Sequence, residues 1–207
     1  MGDGQDRKRH IKAPPRSLAR EHREASQGYR AKVFWLTGPS GAGKSTIAHR
    51  VEQLLFDDGY FGLAVLDGDR MRGGLCSDLG FSPEARHENI RRVAHVGRLF
   101  LEHGILCLCA FISPYRADRA NAADIVGAGD FREIYVSCPQ AVCEERDCKG
   151  FYELARKGVI KNYTGVSAPY EEPEDPALVI RTDELAIEES AEALRRFICK
   201  ETRIDSP

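Results

Sequence analysis

Residues 38–46 read Gly-Pro-Ser-Gly-Ala-Gly-Lys-Ser-Thr, and this combination of glycines, a lysine and hydroxyls suits the binding of a polyphosphate. Glycines allow consecutive backbone N–H groups to turn toward one anion. Lys44 can then reach the β- and γ-phosphates, and the Ser45 hydroxyl can bind Mg²⁺. The residues that we expect to contact ATP here are Gly38, Ser40, Gly41, Ala42, Gly43, Lys44, Ser45 and Thr46.

The elements around this loop decide whether it can act as a phosphate cradle. The apolar run 33–36 predicts a strand before the loop, and residues 44–57 predict a helix after it, whose N-terminal dipole favours anions. The glycine at position 41 gives the pattern G-x-x-G-x-G-K-S-T. That pattern is more typical of small-molecule and nucleotide kinases than of signalling GTPases, and the guanine-reading N-K-x-D sequence is absent.

The rest of the chain alternates short apolar runs with amphipathic segments. Strands are predicted at 32–37, 62–67, 105–111, 132–137 and 177–181. Helices are predicted at 44–57, 84–103, 116–125, 140–147 and 186–199. Because the strand candidates are continuously apolar rather than alternating, they indicate parallel strands covered on both faces. The fold class predicted is a P-loop NTPase-type, doubly wound α/β fold with a mostly parallel five-stranded sheet.

The predicted organisation has one main domain with appendages. Residues 1–15 are basic and polar and predict a disordered tail, and residues 16–31 form an N-terminal extension with a possible short helix at 16–28. Residues 32–202 form a single kinase domain. Within it, residues 148–176 show no clear strand and are rich in Gly, Pro and Lys, which predicts an irregular lid over the phosphates.

Two carboxylates, Asp67 and Asp69, follow the second predicted strand, at the edge where open α/β sheets bind ligands. If the chain stays extended there, both side chains point to the same side. One can hold Mg²⁺ through water while the other takes up the proton of an attacking hydroxyl; a helix N-cap is the alternative role. We expect Mg²⁺ to be held by Ser45 and Asp67.

A cluster of cationic and amide side chains follows these carboxylates. Arg72 precedes the helix predicted at 84–103, and Arg86 and Asn89 lie one turn apart on it. Arginines beside a P-loop suit a substrate that carries its own phosphate or sulfate, and Phe81 can stack on a base. Each such arginine taken alone is more often a solvated surface residue, so the cluster carries the prediction.

Ser113 follows the third predicted strand at the same edge of the sheet. It can cap the next helix, contact the substrate or act as a nucleophile, and no histidine or other base is visibly paired with it. The predicted catalytic residues are Lys44, Asp67, Asp69 and Ser113.

The composition excludes several classes of protein. With 30 Lys and Arg against 32 Asp and Glu in 207 residues, nothing global favours nucleic acid or an anionic membrane. No stretch approaches the ~18 apolar residues of a membrane span, and no secretory signal is visible. The seven cysteines lack metal-site spacing, which favours reduced thiols in the cytoplasm.

These motifs together resemble the adenylylsulfate kinase (APS kinase) family over roughly residues 20–182. The segments that match in order are 38–46, 67–69, 79–82, 88–92, 111–116 and 161–165. The resemblance implies transfer of the γ-phosphoryl group of MgATP to the 3′-hydroxyl of adenosine 5′-phosphosulfate (APS), giving PAPS and ADP in sulfate activation. It also implies a homodimer and possible coupling to an ATP sulfurylase.

The resemblance further implies roles for individual residues. Those implied for APS are Asp69, Arg72, Phe81, Arg86, Asn89, Ile112, Ser113, Lys149, Lys161 and Tyr163. Phe81 and Tyr163 are implied as a pair that sandwiches the substrate adenine, Arg146 is implied for ATP, and the residue equivalent to Ser113 has been described as a phosphoserine intermediate. Tyr163 stands where Phe is usual, Arg70 where Asn is usual, and Gly74 where a larger residue is common.

Two other functions compete with this interpretation. One is a kinase of the same fold that acts on a sugar acid or shikimate; the aromatic pair and the arginines argue against it, because such acceptors have no base to stack. The other is a non-catalytic nucleotide-binding module or a regulatory partner of a sulfurylase. The intact Lys44, Ser45, Asp67 and Asp69 argue against that one.

Overall fold

Five strands form the sheet at the centre of the structure, a computed structural model that describes residues 18–147 and 150–204. The strands are β1 (Val33–Thr37), β2 (Leu63–Asp67), β3 (Leu106–Ala110), β4 (Phe131–Ser137) and β5 (Leu178–Arg181). Their order is β2-β3-β1-β4-β5, and every neighbouring pair is parallel. The predicted doubly wound α/β fold is confirmed, with a sheet that is parallel throughout.

Helices lie on both sides of this sheet. They are α1 (Arg20–Gln27), α2 (Lys44–Asp57), α3 (Gly68–Arg72), α4 (Pro83–Leu101), α5 (Arg116–Val126), α6 (Gln140–Arg146), α7 (Phe151–Arg156) and α8 (Ile187–Glu201). Each helix predicted from the sequence is present with shifts at its ends. Helices α3 and α7 were not predicted.

The central strands are buried because both faces of the sheet are covered. Every residue of β1 and of β3 is buried. Successive side chains of a strand point to opposite faces, so Phe34 and Leu36 pack with residues of α2 and α8, whereas Val33 and Trp35 pack with residues of α4 and α5. These two apolar layers hold the strand ends in a fixed relation to one another.

The chain beyond Asp67 is helical, so the premise of an extended segment there was wrong. The Asp67 carboxylate accepts a hydrogen bond from the backbone N–H of Asp69 at 2.9 Å and caps α3. An aspartate in the β-region is a favoured N-cap, because its carboxylate satisfies an N–H that has no partner within the helix. Asp67 therefore lies at the end of β2, while Asp69 lies in the first turn of α3.

The lid predicted at 148–176 contains regular structure that the sequence analysis missed. Helix α7 lies within it, and the Asp147 carboxylate accepts hydrogen bonds from the N–H groups of Tyr152 (3.1 Å) and Glu153 (3.2 Å). The apolar residues of 151–155 have helical spacing, but the run is too short to stand out. Residues 148–149 lie outside the described part of the chain.

The N-terminal extension is fixed to the base of the sheet through α1. Arg20 donates to the carboxylate of Asp130 at 2.6 Å and to the carbonyl of Ala31 at 2.7 Å. The predicted tail 1–15 lies outside the described residues, and the division into tail, extension and domain stays a prediction. Within residues 18–147 and 150–204, no helix combines the length and apolarity needed to cross a membrane.

Because of these two apolar layers, replacing a valine by alanine should cost more stability in the central strand β1 than in the edge strand β5. Val33 is fully buried in β1, whereas Val179 in the edge strand β5 is 44% exposed. Val33→Ala should lower the free energy of unfolding by about 2 kcal/mol, from lost burial and the cavity left behind, and Val179→Ala by under about 0.5 kcal/mol. Urea unfolding measures both values, and equal losses would contradict the assignment of β1 to the core.

Candidate active site

A cavity of about 440 Å³ opens at the carboxyl edge of the sheet, where the strands end and the helices that follow them begin. The residues proposed from the sequence that line it are Ser40, Gly41, Gly43, Lys44, Ser45, Thr46, Asp67, Asp69, Arg72, Phe81, Arg86, Asn89, Ile112, Ser113, Lys161 and Tyr163. The topology thus brings together segments that are more than 100 residues apart in the chain.

The glycine-rich loop between β1 and α2 has the geometry of a phosphate cradle. Gly41 has a φ of +80°, and a Cβ atom there would lie 2.9 Å from the carbonyl oxygen of Cys143, so only glycine fits without displacement. The Lys44 ammonium donates to the carbonyls of Gly38 (2.9 Å) and Pro39 (2.7 Å). Its charge is therefore held within the loop, beside the N-terminus of α2.

Ala42 and Gly38 support the cradle from behind rather than lining the cavity. The buried Ala42 carbonyl accepts a hydrogen bond from the Thr182 hydroxyl at 3.0 Å. Arg146 donates to the Thr182 carbonyl at 2.6 Å. Arg146 is thus linked to the loop through Thr182, a contact that no local sequence pattern indicates. Arg146 is not among the residues that line the cavity.

A hydroxyl and a carboxylate meet across the mouth of this loop. The Ser45 hydroxyl donates to Oδ2 of Asp67 at 2.5 Å, although β1 and β2 are separated by β3 in the sheet. This pair is a hard oxygen donor set of the kind that Mg²⁺ takes when substrate phosphates and waters complete its coordination. The residues therefore fit Mg²⁺, and no group of three or more His, Cys, Asp or Glu side chains within the described residues offers a protein-only metal cage.

The opposite side of the cavity carries two guanidinium groups. Arg72 donates to the carbonyl of Gly80 at 3.0 Å, and Arg86 donates to the carbonyl of Asn162 at 2.7 Å. Burial lowers the pKa of both arginines, and for Arg86 the nearby charge of Arg72 lowers the pKa further. Within the described ranges neither group is in a salt bridge, so their shared positive charge is available to an anion in the cavity.

Phe81 lies between these cations. Its ring centroid is 4.4 Å from Cζ of Arg72 and 5.6 Å from Cζ of Arg86, and the side chain is 53% exposed. A large aromatic ring held by two cation–π contacts yet open to solvent presents a flat apolar surface to the cavity.

Asn89 and Thr164 add polar atoms that find no partner among the described residues. Both side chains are buried, both line the cavity, and neither Oδ1 of Asn89 nor Oγ1 of Thr164 has a hydrogen bond there. Buried polar atoms are normally satisfied, so these two indicate contacts that a ligand completes. Thr164 was not among the predicted site residues.

Ser113 is buried and its backbone is strained, with a φ of +38°. Its hydroxyl accepts a hydrogen bond from the Trp35 indole N–H at 3.1 Å and donates to the Thr37 hydroxyl at 3.0 Å. Trp35 and Thr37 are neither acids nor bases near neutral pH. The geometry thus gives Ser113 a role in holding the backbone of the loop, as residues in rare conformations often have at binding sites.

The lid contacts the glycine-rich loop through α7, in addition to its contact with Arg86 through Asn162. The Tyr152 hydroxyl on α7 donates to the Ser40 carbonyl at 2.9 Å, and its ring meets the ring of Tyr163 edge-on at 5.1 Å. Tyr163 is buried, whereas Phe81, which lines the same cavity, is exposed. Of the predicted lid residues, Lys161 lines the cavity and Lys149 lies outside the described residues.

The fold and the site define a P-loop kinase: a parallel α/β sheet, a glycine-rich loop with Lys44 and Ser45, and a second anion-binding group facing it. The family model for adenylylsulphate kinase matches residues 30–181. The chain therefore belongs to the adenylylsulphate kinase family, and it is an ATP-dependent kinase of that family. The resemblance inferred from the motifs is confirmed.

Known members of this family are similar to the chain along nearly its whole length. The adenylyl-sulfate kinase of Phocaeicola vulgatus is 50% identical over 183 residues, which is 88% of this chain and 89% of that protein. That of Acaryochloris marina is 49% identical over 182 residues, 88% of each. The structure of the Mycobacterium tuberculosis APS kinase CysC in complex with AMPPNP and APS is 44% identical, with a TM-score of 0.76, and covers 80% of this chain and 95% of that chain.

The loop geometry predicts that a methyl group at Gly41 is not tolerated. Gly41→Ala adds both backbone strain and a close contact with Cys143, so the affinity for ATP should fall by roughly tenfold or more. Titration calorimetry measures this affinity. Gly59→Ala is the matched control, because Gly59 has a φ of +92° but nothing within 4 Å of a Cβ. Equal ATP affinities of the two variants would contradict the cradle.

Proposed function

We propose that this chain transfers the γ-phosphoryl group of MgATP to the 3′-hydroxyl of adenosine 5′-phosphosulfate, giving PAPS and ADP. One observation carries the proposal: a single cavity has a phosphate cradle with Lys44 on one side and Arg72 and Arg86 on the other. A donor and an acceptor that are both anionic nucleotides match this double charge pattern. A sugar acid has no base for Phe81 to stack on.

The donor is bound by the loop and the start of α2. The backbone N–H groups of residues 40–46 and the Lys44 ammonium neutralise the β- and γ-phosphates. We assign the adenine side of ATP to Arg146, which donates to the carbonyl of Thr182, whose hydroxyl in turn donates to the Ala42 carbonyl of the loop.

Ser45 and Asp67 are the residues that hold Mg²⁺. Bound there, the ion supplies charge neutralisation at the β- and γ-phosphate oxygens. The Asp67 carboxylate also accepts hydrogen bonds from the Ser45 hydroxyl and the Asp69 N–H, so both of its oxygens have a structural partner. We assign Asp69, which is exposed and lines the cavity, as the group that orients the acceptor 3′-hydroxyl and accepts its proton.

The acceptor nucleotide is bound on the opposite side. Arg72 and Arg86 take its phosphosulfate, and Asn89 and the Ile112–Ser113 segment contact its ribose side. Its adenine lies between Phe81 and Tyr163. Closure of the lid, with Lys149 and Lys161, excludes water so that the phosphoryl group passes to the hydroxyl and not to solvent.

Ser113 acts in this account by positioning rather than by forming a phosphoserine. Its hydroxyl is committed to Trp35 and Thr37, and no base lies among its hydrogen-bond partners. Direct in-line transfer needs alignment and charge stabilisation, which the cavity offers, and no protein nucleophile.

We infer a homodimer in the cytoplasm that is coupled to an ATP sulfurylase, with no nucleic acid or membrane as partner. The assembly rests on the family alone. The cytoplasm is supported by the cysteine spacing in the sequence, which fits neither a zinc site nor a thioredoxin-type motif.

A coupled ADP-release assay with MgATP, run with and without APS, tests the proposed function. We expect ADP to form only when APS is present and PAPS to accumulate in equal amount. APS-independent ADP release, or transfer to a sugar acid in its place, would contradict the proposal.

The carboxylate at the end of β2 should be essential for turnover. Asp67→Asn keeps the shape but removes the charge beside Ser45, so kcat should fall by at least roughly 10²-fold. Asp78→Asn is the control, because Asp78 is an exposed carboxylate that pairs with Arg92 outside the cavity. Wild-type kcat in the Asp67 variant would refute its assignment.

Phe81, the proposed stacking surface, should affect the binding of the acceptor APS and not the binding of the donor ATP. Phe81→Ala should weaken APS binding by about 1–3 kcal/mol, seen as a raised KM for APS, while the KM for ATP is unchanged. Phe61→Ala, at a 73% exposed phenylalanine that does not line the cavity, should change neither KM. An unchanged KM for APS in the Phe81 variant would count against the adenine sandwich.

A further inference from the structure

Behind the cavity wall, four side chains form a hydrogen-bonded cluster, which we call the hydroxyl cluster: Trp35, Thr37, Ser113 and Tyr170. The Trp35 N–H is 3.1 Å from Oγ of Ser113, which is 3.0 Å from Oγ1 of Thr37. The Tyr170 hydroxyl is 3.0 Å from the same Thr37 oxygen, and Thr37 is 2.8 Å from the carbonyl oxygen of Ile112. None of the site assignments above includes Thr37 or Tyr170.

Counting donors and acceptors gives one consistent direction for each of these four hydrogen bonds. An indole N–H only donates, and a carbonyl only accepts. When Thr37 gives its proton to Ile112, its shortest carbonyl contact, the Thr37 oxygen accepts from both Ser113 and Tyr170. Each hydroxyl proton is then used once, and the alternative carbonyl acceptors of Ser113 and Phe111 lie further away, at 3.4 Å.

Arg119 extends this arrangement to the lid. It is 3% exposed, pairs with Glu133 on β4, and donates to the carbonyls of Ser113 and Glu171, each at 2.8 Å. Its guanidinium also lies 5.9 Å from the ring centroid of Tyr170. One buried cation thus ties the cavity-lining Ser113 to residues 170–171 at the C-terminal base of the lid.

The hydroxyl cluster and Arg119 connect three elements that must be held in place together for the acceptor to bind. Thr37 is the last residue of β1 before the glycine-rich loop, Ile112 and Ser113 line the cavity, and Tyr170 and Glu171 lie in the C-terminal part of the lid. Burial raises the pKa of Tyr170, so its phenol keeps its proton and remains a donor. The strained φ of Ser113 requires such support, because a lone serine would relax out of it.

We propose that the hydroxyl cluster, together with Arg119, sets the position of the Ile112–Ser113 segment and of the lid base for the acceptor nucleotide. Thr37, Tyr170 and Arg119 are then positioning residues for APS rather than for ATP. The inference rests on the proposed function and adds residues that act on the acceptor through Ser113 without touching it.

Tyr170→Phe tests this inference with the smallest change. It removes one hydroxyl, keeps the ring stacked on Tyr135 at 6.2 Å, and leaves no buried donor without an acceptor. The KM for APS should rise about three- to tenfold, the range that one lost hydrogen bond gives, while the KM for ATP stays within about twofold. If Tyr170 only stabilised the fold, its substitution would lower the stability of the protein without changing the KM for APS relative to the KM for ATP.

The chain contains a matched control. The Tyr60 hydroxyl is 3.1 Å from Oγ1 of Thr202, the same pairing of a half-buried tyrosine with a threonine, and neither residue lines the cavity. Tyr60→Phe should leave both KM values unchanged while shifting the thermal midpoint by a similar amount. Equal KM values for APS in the two tyrosine variants would overturn the inference.

A double-mutant cycle checks the connection itself. Thr37→Val removes the oxygen to which Tyr170 donates, so Tyr170→Phe should have little further effect on the KM for APS in that background. Independent, additive effects would overturn the inference. An inactive wild-type enzyme would instead refute the proposed function, which separates that failure from this one.

Discussion

The contact between the Ser45 hydroxyl and the Asp67 carboxylate, at 2.5 Å, is the constraint on which the site depends. It joins the helix that follows β1 to the end of β2, across the intervening β3, and it exists because parallel strands bring their carboxyl ends to one edge. The same aspartate caps α3, and α3 carries Asp69 and Arg72 into the cavity. One carboxylate therefore positions Ser45, the hydroxyl that we propose for Mg²⁺, together with Asp69 and Arg72, which we propose for the acceptor.

The cavity also solves a problem of charge. Two anionic nucleotides repel each other, and the cost of bringing them together must be met by cations already in place. Lys44 lies within the loop against backbone carbonyls, and Arg72 and Arg86 bond to carbonyls rather than to carboxylates. For the two arginines, backbone carbonyls orient the cation without cancelling its charge, so their field remains for an anion in the cavity. The depressed pKa values of Arg72 and Arg86 reflect the burial that this arrangement requires.

Much of this architecture could be predicted from the sequence, because the strands are continuous apolar runs and the glycine-rich loop has one common geometry. The positions of Lys44, Asp67, Arg86 and Asn89 at one cavity follow from strand order and helical spacing. What the sequence could not reveal depends on tertiary contact. Helix α7 is one turn and a half long and is capped by Asp147 from outside, and Thr37, Arg119 and Tyr170 come together only after folding. Their partners are up to 133 residues away, which no local pattern encodes.

The central claim is that both nucleotides occupy one cavity and that the phosphoryl group passes directly between them, with Ser113 holding the backbone and forming no covalent intermediate. The stereochemistry of transfer tests it most directly. With a donor whose γ-phosphorus is made chiral by oxygen isotopes, a single in-line displacement inverts the configuration. The account predicts inversion in the PAPS formed. Retention would mean two successive displacements, and hence a phosphorylated enzyme group, and would contradict it.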